Sequence, residues 1–131
     1  HIFTHRKFAY TYETSGRDDW MGRHFFTGGI MPSDNLLPRL KGPLAVEKHW
    51  RVNGRHYNQT AEAWLANMDK NRKKIMPVMQ RTYGQEQASC WFQRWRIFFM
   101  ACAELWGYRD GSEWLVSHYL LHKKLTEIND E

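Results

Sequence analysis

The segment from Ser112 to His122 constrains the fold more than any other part of the sequence, because large apolar side chains occur at both its odd and its even positions. Successive side chains of a strand point to opposite faces, so a strand of this composition is covered on both faces. Such a strand belongs in the middle of a sheet. We therefore predict an α/β fold in which a late segment, residues 113–122, is a central strand.

Two other segments have the composition of strands. His1 to Thr4 reads as the end of a strand, and residues 44–52 follow a break at Gly42-Pro43. Three strands with an apolar strand in the centre need further neighbours. The chain also starts without Met and within an apolar pattern. We therefore expect residues 1–131 to be a single partial domain whose N-terminal half is missing.

Two long helices are predicted between the second and third strands. Apolar residues recur at helical spacing from Tyr57 to Met68, which indicates an amphipathic helix over residues 54–82 that Pro77 kinks or divides. Residues 85–108 form the second helix, with an aromatic stripe that includes Phe92, Trp95 and Phe99.

Shorter elements precede them. Asp18 or Asp19 suits the start of a helix that Gly28-Gly29 would end, since glycine accepts a positive φ. Ser33 or Asp34 can cap a second short helix rich in leucine.

Composition narrows the classes of function. The formal net charge is +5, but basic and acidic residues alternate and no block of five like charges occurs, which argues against nucleic-acid binding. The seven Trp, seven Phe and six Tyr indicate a dense core, an apolar cavity or a stacking surface. Basic and aromatic residues together leave peripheral membrane contact open.

The cysteines and histidines do not indicate a disulfide or a metal site. Cys90 and Cys102 lie twelve residues apart on one predicted helix, about 18 Å along its axis and beyond disulfide reach. We expect reduced thiols and a cytoplasmic protein. No His or Cys spacing fits a metal site.

Several motifs carry a resemblance to a known family. FFTGGIMPS (25–33) resembles the glycine-pair loop of the cyclopropane-fatty-acid-synthase-like methyltransferases, and HWRVNGRHYNQTAEAW (49–64) resembles their next motif. Residues 90–107 and the segment EWLVSHYLLHKK are similar to the long helix and final strand of that family. Within the superfamily, HIFTHRKFAY, VNGRHY and AELWGY are most similar to the coclaurine N-methyltransferase branch.

The resemblance implies the C-terminal portion of a class I (Rossmann-like) methyltransferase sheet, comprising its last three strands and a helical lid. The final strand would lie between the fifth strand, which ends at His1 to Thr4, and the sixth. The family binds S-adenosylmethionine through a glycine-rich turn after its first strand, which this sequence lacks. Cofactor-binding residues are therefore expected in the missing part, and this piece alone should be inactive.

Resemblance also implies roles for particular residues. His1 matches a histidine that holds a bicarbonate base in the cyclopropane synthases, and Tyr57 matches a tyrosine that reaches the same site, so both are candidate catalytic residues. The alternatives are a flexible terminal histidine and a buried tyrosine bonded to backbone. The glycine-pair loop would close over the active site, and its candidate lining residues are Phe25, Phe26, Gly28 and Gly29. Packing within the fold would explain these four residues equally well.

A further candidate site lies on the second long helix. Glu104 would attract a cationic amine, with Trp106 and Trp114 offering cation–π faces. The favoured alternative is a buried ion pair between Glu104 and an arginine, for which Arg94, Arg96 and Arg109 are candidates.

The implied function is transfer of methyl from S-adenosylmethionine to the nitrogen of a small aromatic amine. A lipid carbon methyltransferase of the cyclopropane synthase type and a non-catalytic structural remnant are the alternatives.

Overall fold

The computed structural model describes residues 1–124. They divide into two compact units where the sequence predicted one partial domain. The strand unit combines His1–Val52 with the chain from Leu115 onward, and the helical unit is Asn53–Trp114. The division arises because consecutive helices pack on one another, whereas strands from both ends of the chain pair with each other.

A three-stranded sheet forms the centre of the strand unit. Its strands are β1 (Ile2–His5), β4 (Leu44–Asn53) and β5 (Trp114–Lys123), in the order β1-β5-β4. The prediction of a central late strand is therefore confirmed, with boundaries shifted by one residue. Lys124 N–H donates to the Pro43 carbonyl, and Tyr119 stacks on His49, so β4 and β5 run antiparallel.

The expectation that β5 is covered on both faces holds only for its first half. Ser117 is fully buried, whereas Leu120 and Leu121 are exposed. Among residues 1–124, the packing therefore leaves the end of the sheet that contains Leu120 and Leu121 exposed to solvent.

A second, small sheet holds the glycine-pair loop. Strand β2 (Tyr10–Thr11) pairs antiparallel with β3 (Ile30–Met31), joining Tyr10 to Met31 and Thr11 to Ile30. Between them, helix α1 (Trp20–His24) ends before the loop begins. The prediction that Gly28-Gly29 ends this helix was wrong, because the Phe25 and Phe26 N–H groups already donate to the Met21 carbonyl.

Helix α1 starts directly after Asp19, as predicted, but neither short helix has the predicted side-chain cap. The Asp19 carboxylate accepts the Gly16 N–H instead of capping α1. Helix α2 (Leu36–Arg39) has Asn35 at its N-cap position, without a side-chain hydrogen bond. Asp34 is engaged elsewhere, in the polar cluster described below.

The helical unit contains α3 (Arg55–Lys70), α4 (Arg72–Tyr83) and α5 (Ala88–Gly107). The predicted first helix divides at Asn71, not at Pro77, which lies inside α4. Asn71 ends α3 because its N–H and side-chain amide both donate to the Asn67 carbonyl. Pro77 is tolerated because α4 has no buried residue, so water can satisfy the carbonyl that loses its partner.

Helix α5 packs mainly on α3, and its predicted aromatic stripe is buried at Phe92 and half-buried at Trp95 and Phe99. Gly54 allows the close approach at one end, since a Cβ there would collide with the Trp106 and Trp114 carbonyls. Helix α5 leads into a 3₁₀ turn, Tyr108–Gly111, in which Arg109, Asp110 and Gly111 have φ of 48°, 61° and 73°. The buried apolar side chains of this unit are Ala61, Met68, Ala88, Phe92, Cys102, Ala103 and Trp106.

Candidate functional site

A buried polar cluster lies in the strand unit around Asp34, whose side chain is 7% exposed. Ser117 Oγ donates to Asp34 Oδ1 at 2.6 Å. Ser117 accepts in turn from Thr4 Oγ1 at 2.8 Å, since its own proton is used on Asp34. We call this set the Asp34 cluster; its members are Thr4, Asp34, His49, Arg51, Ser117 and Tyr119.

Strands β4 and β5 supply the remaining contacts of Asp34. Arg51 Nε donates to Oδ2, while Tyr119 donates its hydroxyl to the Asp34 carbonyl at 2.8 Å. His49 stacks on Tyr119 with ring centroids 4.2 Å apart. Its buried Nε2 lies 3.1 Å from Asp34 Oδ1, although the geometry is not that of a hydrogen bond.

These contacts determine the charge on Asp34. Burial opposes ionisation, but the hydrogen bonds from Ser117 and Arg51 and the positive charge of Arg51 outweigh it and lower the pKa of Asp34 below its usual value. Burial raises the pKa of Tyr119, which therefore remains a hydroxyl donor. The cluster holds a carboxylate that is ionised near neutral pH and fully provided with donors.

Sequence reasoning missed this cluster. Its members come from four distant segments, and none of them stands out by spacing. The one available signal was Asp34 itself, a charged residue directly after the Met31-Pro32-Ser33 stop, which was interpreted only as a helix cap.

The glycine-pair loop precedes Asp34 and is open at its tip. A Cβ added at Gly28 or Gly29 would meet no atom within 4 Å, and Gly29 has φ of 109°. Phe26 is partly exposed and packs on Tyr12 with ring centroids 4.5 Å apart, while Phe25 is half-buried against Trp20. Packing accounts for the two phenylalanines, and the open glycines remain predicted site-lining residues.

His1 lies just before β1 and is exposed. Its ring stacks on His118 with centroids 5.2 Å apart. The structure therefore gives His1 a neighbour on β5, and its catalytic role remains a prediction.

Tyr57 lies in the first turn of α3, in the helical unit. It is half-buried and meets Trp106 edge-on, with ring centroids 5.0 Å apart. Its hydroxyl bonds to the Cys102 thiol, and burial raises the pKa of Cys102 to about 11. The hydroxyl thus has a neutral partner, and the catalytic role of Tyr57 stays a prediction.

The interpretation of Glu104 as a buried carboxylate was wrong. Glu104 is exposed beside Asn58 and Tyr108 in a polar hollow of about 300 Å³. Within residues 1–124 it makes no ion pair, since Arg96 pairs with Asp69 and Arg109 pairs with Glu113. Glu104 lies on the exposed face of α5, outside the stripe of buried residues.

The expected cation–π site beside Glu104 does not form as predicted. Trp106 is buried, with Tyr57 at its edge and the Trp114 ring 6.2 Å away. Because only 5% of Trp106 is exposed, its ring is not open to a ligand. Trp114 is half-buried and does not line the hollow that contains Glu104.

A different cavity in the helical unit has the chemistry of a ligand site. Its volume is about 550 Å³, and it opens between α3, α4 and α5. Aromatic rings, aliphatic side chains and two amides line it, and no charged side chain does: Trp64, Trp95, Phe99, Met68, Ile75, Met79, Asn67 and Asn71. Trp95 is fixed by a hydrogen bond from Nε1 to the Tyr83 hydroxyl at 3.1 Å.

The glycine pair does not form a nucleotide-binding turn. Gly28 and Gly29 join a five-residue helix to a two-residue strand, instead of joining a strand to the N-terminus of a long helix. Across residues 1–124 no three His, Cys, Asp or Glu side chains converge as metal ligands. No helix in the same range is long and apolar enough to cross a membrane.

No protein-family model matches the chain. The (S)-coclaurine N-methyltransferases of Thalictrum flavum subsp. glaucum and Papaver somniferum are each 36% identical to it, over 124 and 123 residues. The pavine N-methyltransferase of Thalictrum flavum subsp. glaucum is 31% identical over 123 residues. Each alignment covers 92% of this chain and 34% or 35% of the relative.

A solved structure of the same branch also resembles the chain. A crystal structure of coclaurine N-methyltransferase bound to N-methylheliamine and SAH matches with a TM-score of 0.78 and 34% sequence identity, covering 93% of this chain and 37% of that one. This likeness confirms the predicted α/β, Rossmann-like fold class. The chain is thus a homologue of the coclaurine N-methyltransferase branch of the S-adenosylmethionine-dependent methyltransferases, and it spans about a third of the length of those relatives.

Proposed function

We propose that this chain forms the acceptor side of an S-adenosylmethionine-dependent methyltransferase that acts on the nitrogen of a small aromatic amine. Its relatives are named for N-methylation of coclaurine and pavine, and the matching structure holds an N-methylated ligand. The glycine pair forms no nucleotide-binding turn, which supports giving this chain the acceptor and the remainder of the protein the cofactor.

The cavity between α3, α4 and α5 carries the proposal. Its volume of about 550 Å³ falls in the range of small-molecule sites, about 300–1,000 Å³. Indole and phenyl rings at Trp64, Trp95 and Phe99 offer stacking faces to an aromatic ligand. The side chains of Asn67 and Asn71 can bond ring substituents.

The uncharged lining also suits the chemistry. An amine attacks a methyl group only as the neutral base, through its lone pair, so a wall without carboxylates does not favour the unreactive ammonium form. Apolar side chains keep water from the acceptor and hold it in one orientation. This chain's contribution would be to bind, orient and shield.

The test compares two acceptors and two tryptophans in the full-length protein. Trp64 lines the cavity and is 45% exposed, while Trp50 on β4 is 49% exposed and lies outside it. Trp64→Ala should weaken the binding free energy of the acceptor by about 1 kcal/mol, so the KM for (S)-coclaurine should rise about fivefold. Trp50→Ala should leave KM unchanged.

Other outcomes identify the alternatives. Methylation of an unsaturated phospholipid, without any of (S)-coclaurine, would favour the lipid enzyme. No turnover of either acceptor, with cofactor present and bound, would favour the structural remnant. Equal KM effects of Trp64→Ala and Trp50→Ala would contradict the assignment of the cavity.

A further inference from the structure

The glycine-pair loop is held at the end where it enters the Asp34 cluster. The His5 N–H donates to the Pro32 carbonyl at 3.2 Å, and the Asp34 N–H donates to the His5 carbonyl at 2.9 Å. These bonds tie the chain directly after β3 to the end of β1. At the loop tip the Gly29 carbonyl accepts from the Tyr12 N–H at 3.0 Å, while no atom lies within 4 Å of the Cβ position of Gly28 or Gly29.

Asp34 adds two strands to this attachment. Through its carboxylate it is bonded to Ser117 on β5 and Arg51 on β4, and through its carbonyl to Tyr119 on β5. One residue therefore joins the base of the loop to all three strands of the sheet. A charge buried to this extent is costly unless its lone pairs are satisfied, and here they are.

The geometry points to Asp34 as a positioning residue: its buried carboxylate fixes the base of the loop that carries Phe25 to Gly29, and through it the placement of the loop tip. Asp34 acts through the loop and touches no acceptor. Only the catalytic consequence of this inference rests on the proposed methyltransferase function, together with the sequence prediction that this loop closes over the active site.

The carboxylate, and not merely a polar group, is required by the partners around it. Arg51 and Ser117 both donate to it, and His49 Nε2 lies beside Oδ1. Asparagine in place of Asp34 would turn an amide NH₂ toward one of these donors. The attachment would then lose a bond while the side-chain volume stayed the same.

The experiment is limited chymotrypsin cleavage of the full-length protein under native conditions, followed by mass spectrometry of the fragments. The loop offers its own cleavage sites at Phe25 and Phe26. Asp34→Asn should speed cleavage there about tenfold, since one charged hydrogen bond is lost. Cleavage at Tyr119 and Leu120 on β5 should change less than twofold.

Asp69→Asn is the matched control. Asp69 also accepts from an arginine, with Arg96 Nε 2.7 Å from Oδ1, but its side chain is 43% exposed and joins two helices. This variant should leave cleavage at Phe25 and Phe26 unchanged. If Asp34→Asn does not fold, Arg51→Gln removes a single donor from a side chain that is 57% exposed and should speed loop cleavage about threefold.

A kinetic measurement separates positioning from a merely structural role. With (S)-coclaurine, Asp34→Asn should lower kcat about tenfold and leave the KM for the cofactor unchanged, because a misplaced loop loses alignment. Cleavage that is unchanged, or that accelerates equally at Tyr119 and Leu120, would overturn the inference, as would an unaltered kcat. An enzyme that does not use (S)-coclaurine would refute the proposed function, while the cleavage result would still decide on Asp34.

Discussion

The two units of this chain are stabilised by different kinds of interior. In the helical unit every buried side chain named above is apolar, with Phe92 and Trp106 the largest. In the strand unit the buried residues are mainly polar: Thr4, His5, Asp34 and Ser117 accompany Met31. Burial of apolar area stabilises a fold without requiring a particular orientation between the side chains. A polar interior stabilises it only when each hydrogen-bond donor meets its acceptor. The difference suggests that the helical unit supplies stability and the strand unit supplies exact placement.

The largest effect should come from emptying the helical core. Phe92 is 1% exposed, so Phe92→Ala should lower the free energy of unfolding by about 3–5 kcal/mol. Ile97→Ala, at an exposed position of the same helix, should cost less than about 1 kcal/mol. Urea unfolding followed by tryptophan fluorescence measures both. Equal losses would contradict the view that area burial dominates this unit.

Removing the buried carboxylate should have the next largest effect. Asp34→Ala leaves the Ser117 hydroxyl and Arg51 Nε without their acceptor, a loss of about 2–3 kcal/mol at pH 7. Because the pKa of Asp34 is lowered on folding, its stabilisation is complete above the unfolded pKa and is lost as pH falls through the folded value. The free energies of unfolding of the unsubstituted protein and of Asp34→Ala should therefore converge in strong acid. A gap that persists there would mean that packing, not charge, is responsible.

Alkaline pH should weaken the helical unit through Cys102. Burial raises the pKa of Cys102 from 9.0 to about 11, so the folded state holds the thiol proton more tightly than the unfolded state. The contribution of the Cys102 thiol to the free energy of unfolding is complete below pH 9. It is lost as pH rises toward 11, at about 1.4 kcal/mol per pH unit between these values. Raising the pH from 9 to 10 should therefore cost about 1 kcal/mol, and Cys102→Ala should abolish this part. An identical pH slope in the variant would disprove the assignment.

The smallest effect should come from the exposed ion pair of the helices. Asp69→Asn breaks the pair with Arg96 but should cost only about 0.2–1 kcal/mol, since water screens both partners. The loss should shrink further in 1 M salt. Thermal unfolding at low and high salt measures it, and a loss as large as that of Asp34→Ala would remove the contrast between the two units.

This contrast also explains what could be predicted from the sequence. The helical unit follows from the spacing of large rings, and the central position of β5 follows from apolar residues on both faces. Periodicity carries no information on a polar interior, so the Asp34 cluster was missed. The helix break at Asn71 was missed because Pro77 is the stronger local signal, and only tertiary exposure shows that α4 tolerates it. Glu104 was misplaced because it is flanked by buried residues on α5, although its own position faces outward.

The turn after α5 has a consequence for anyone who alters this protein. Arg109 and Asp110 adopt left-handed backbone conformations directly before Gly111, and each costs roughly 1 kcal/mol for a residue with a side chain. Arg55 and Asn53 hold Asp110 in place. The Arg109 side chain contacts Glu113 and the Tyr108 ring, and its carbonyl accepts from the N–H and the hydroxyl of Ser112. Arg109→Gly would relieve this backbone strain and keep the two bonds from Ser112 to the carbonyl of residue 109, which makes this turn a starting point for engineering a more stable protein.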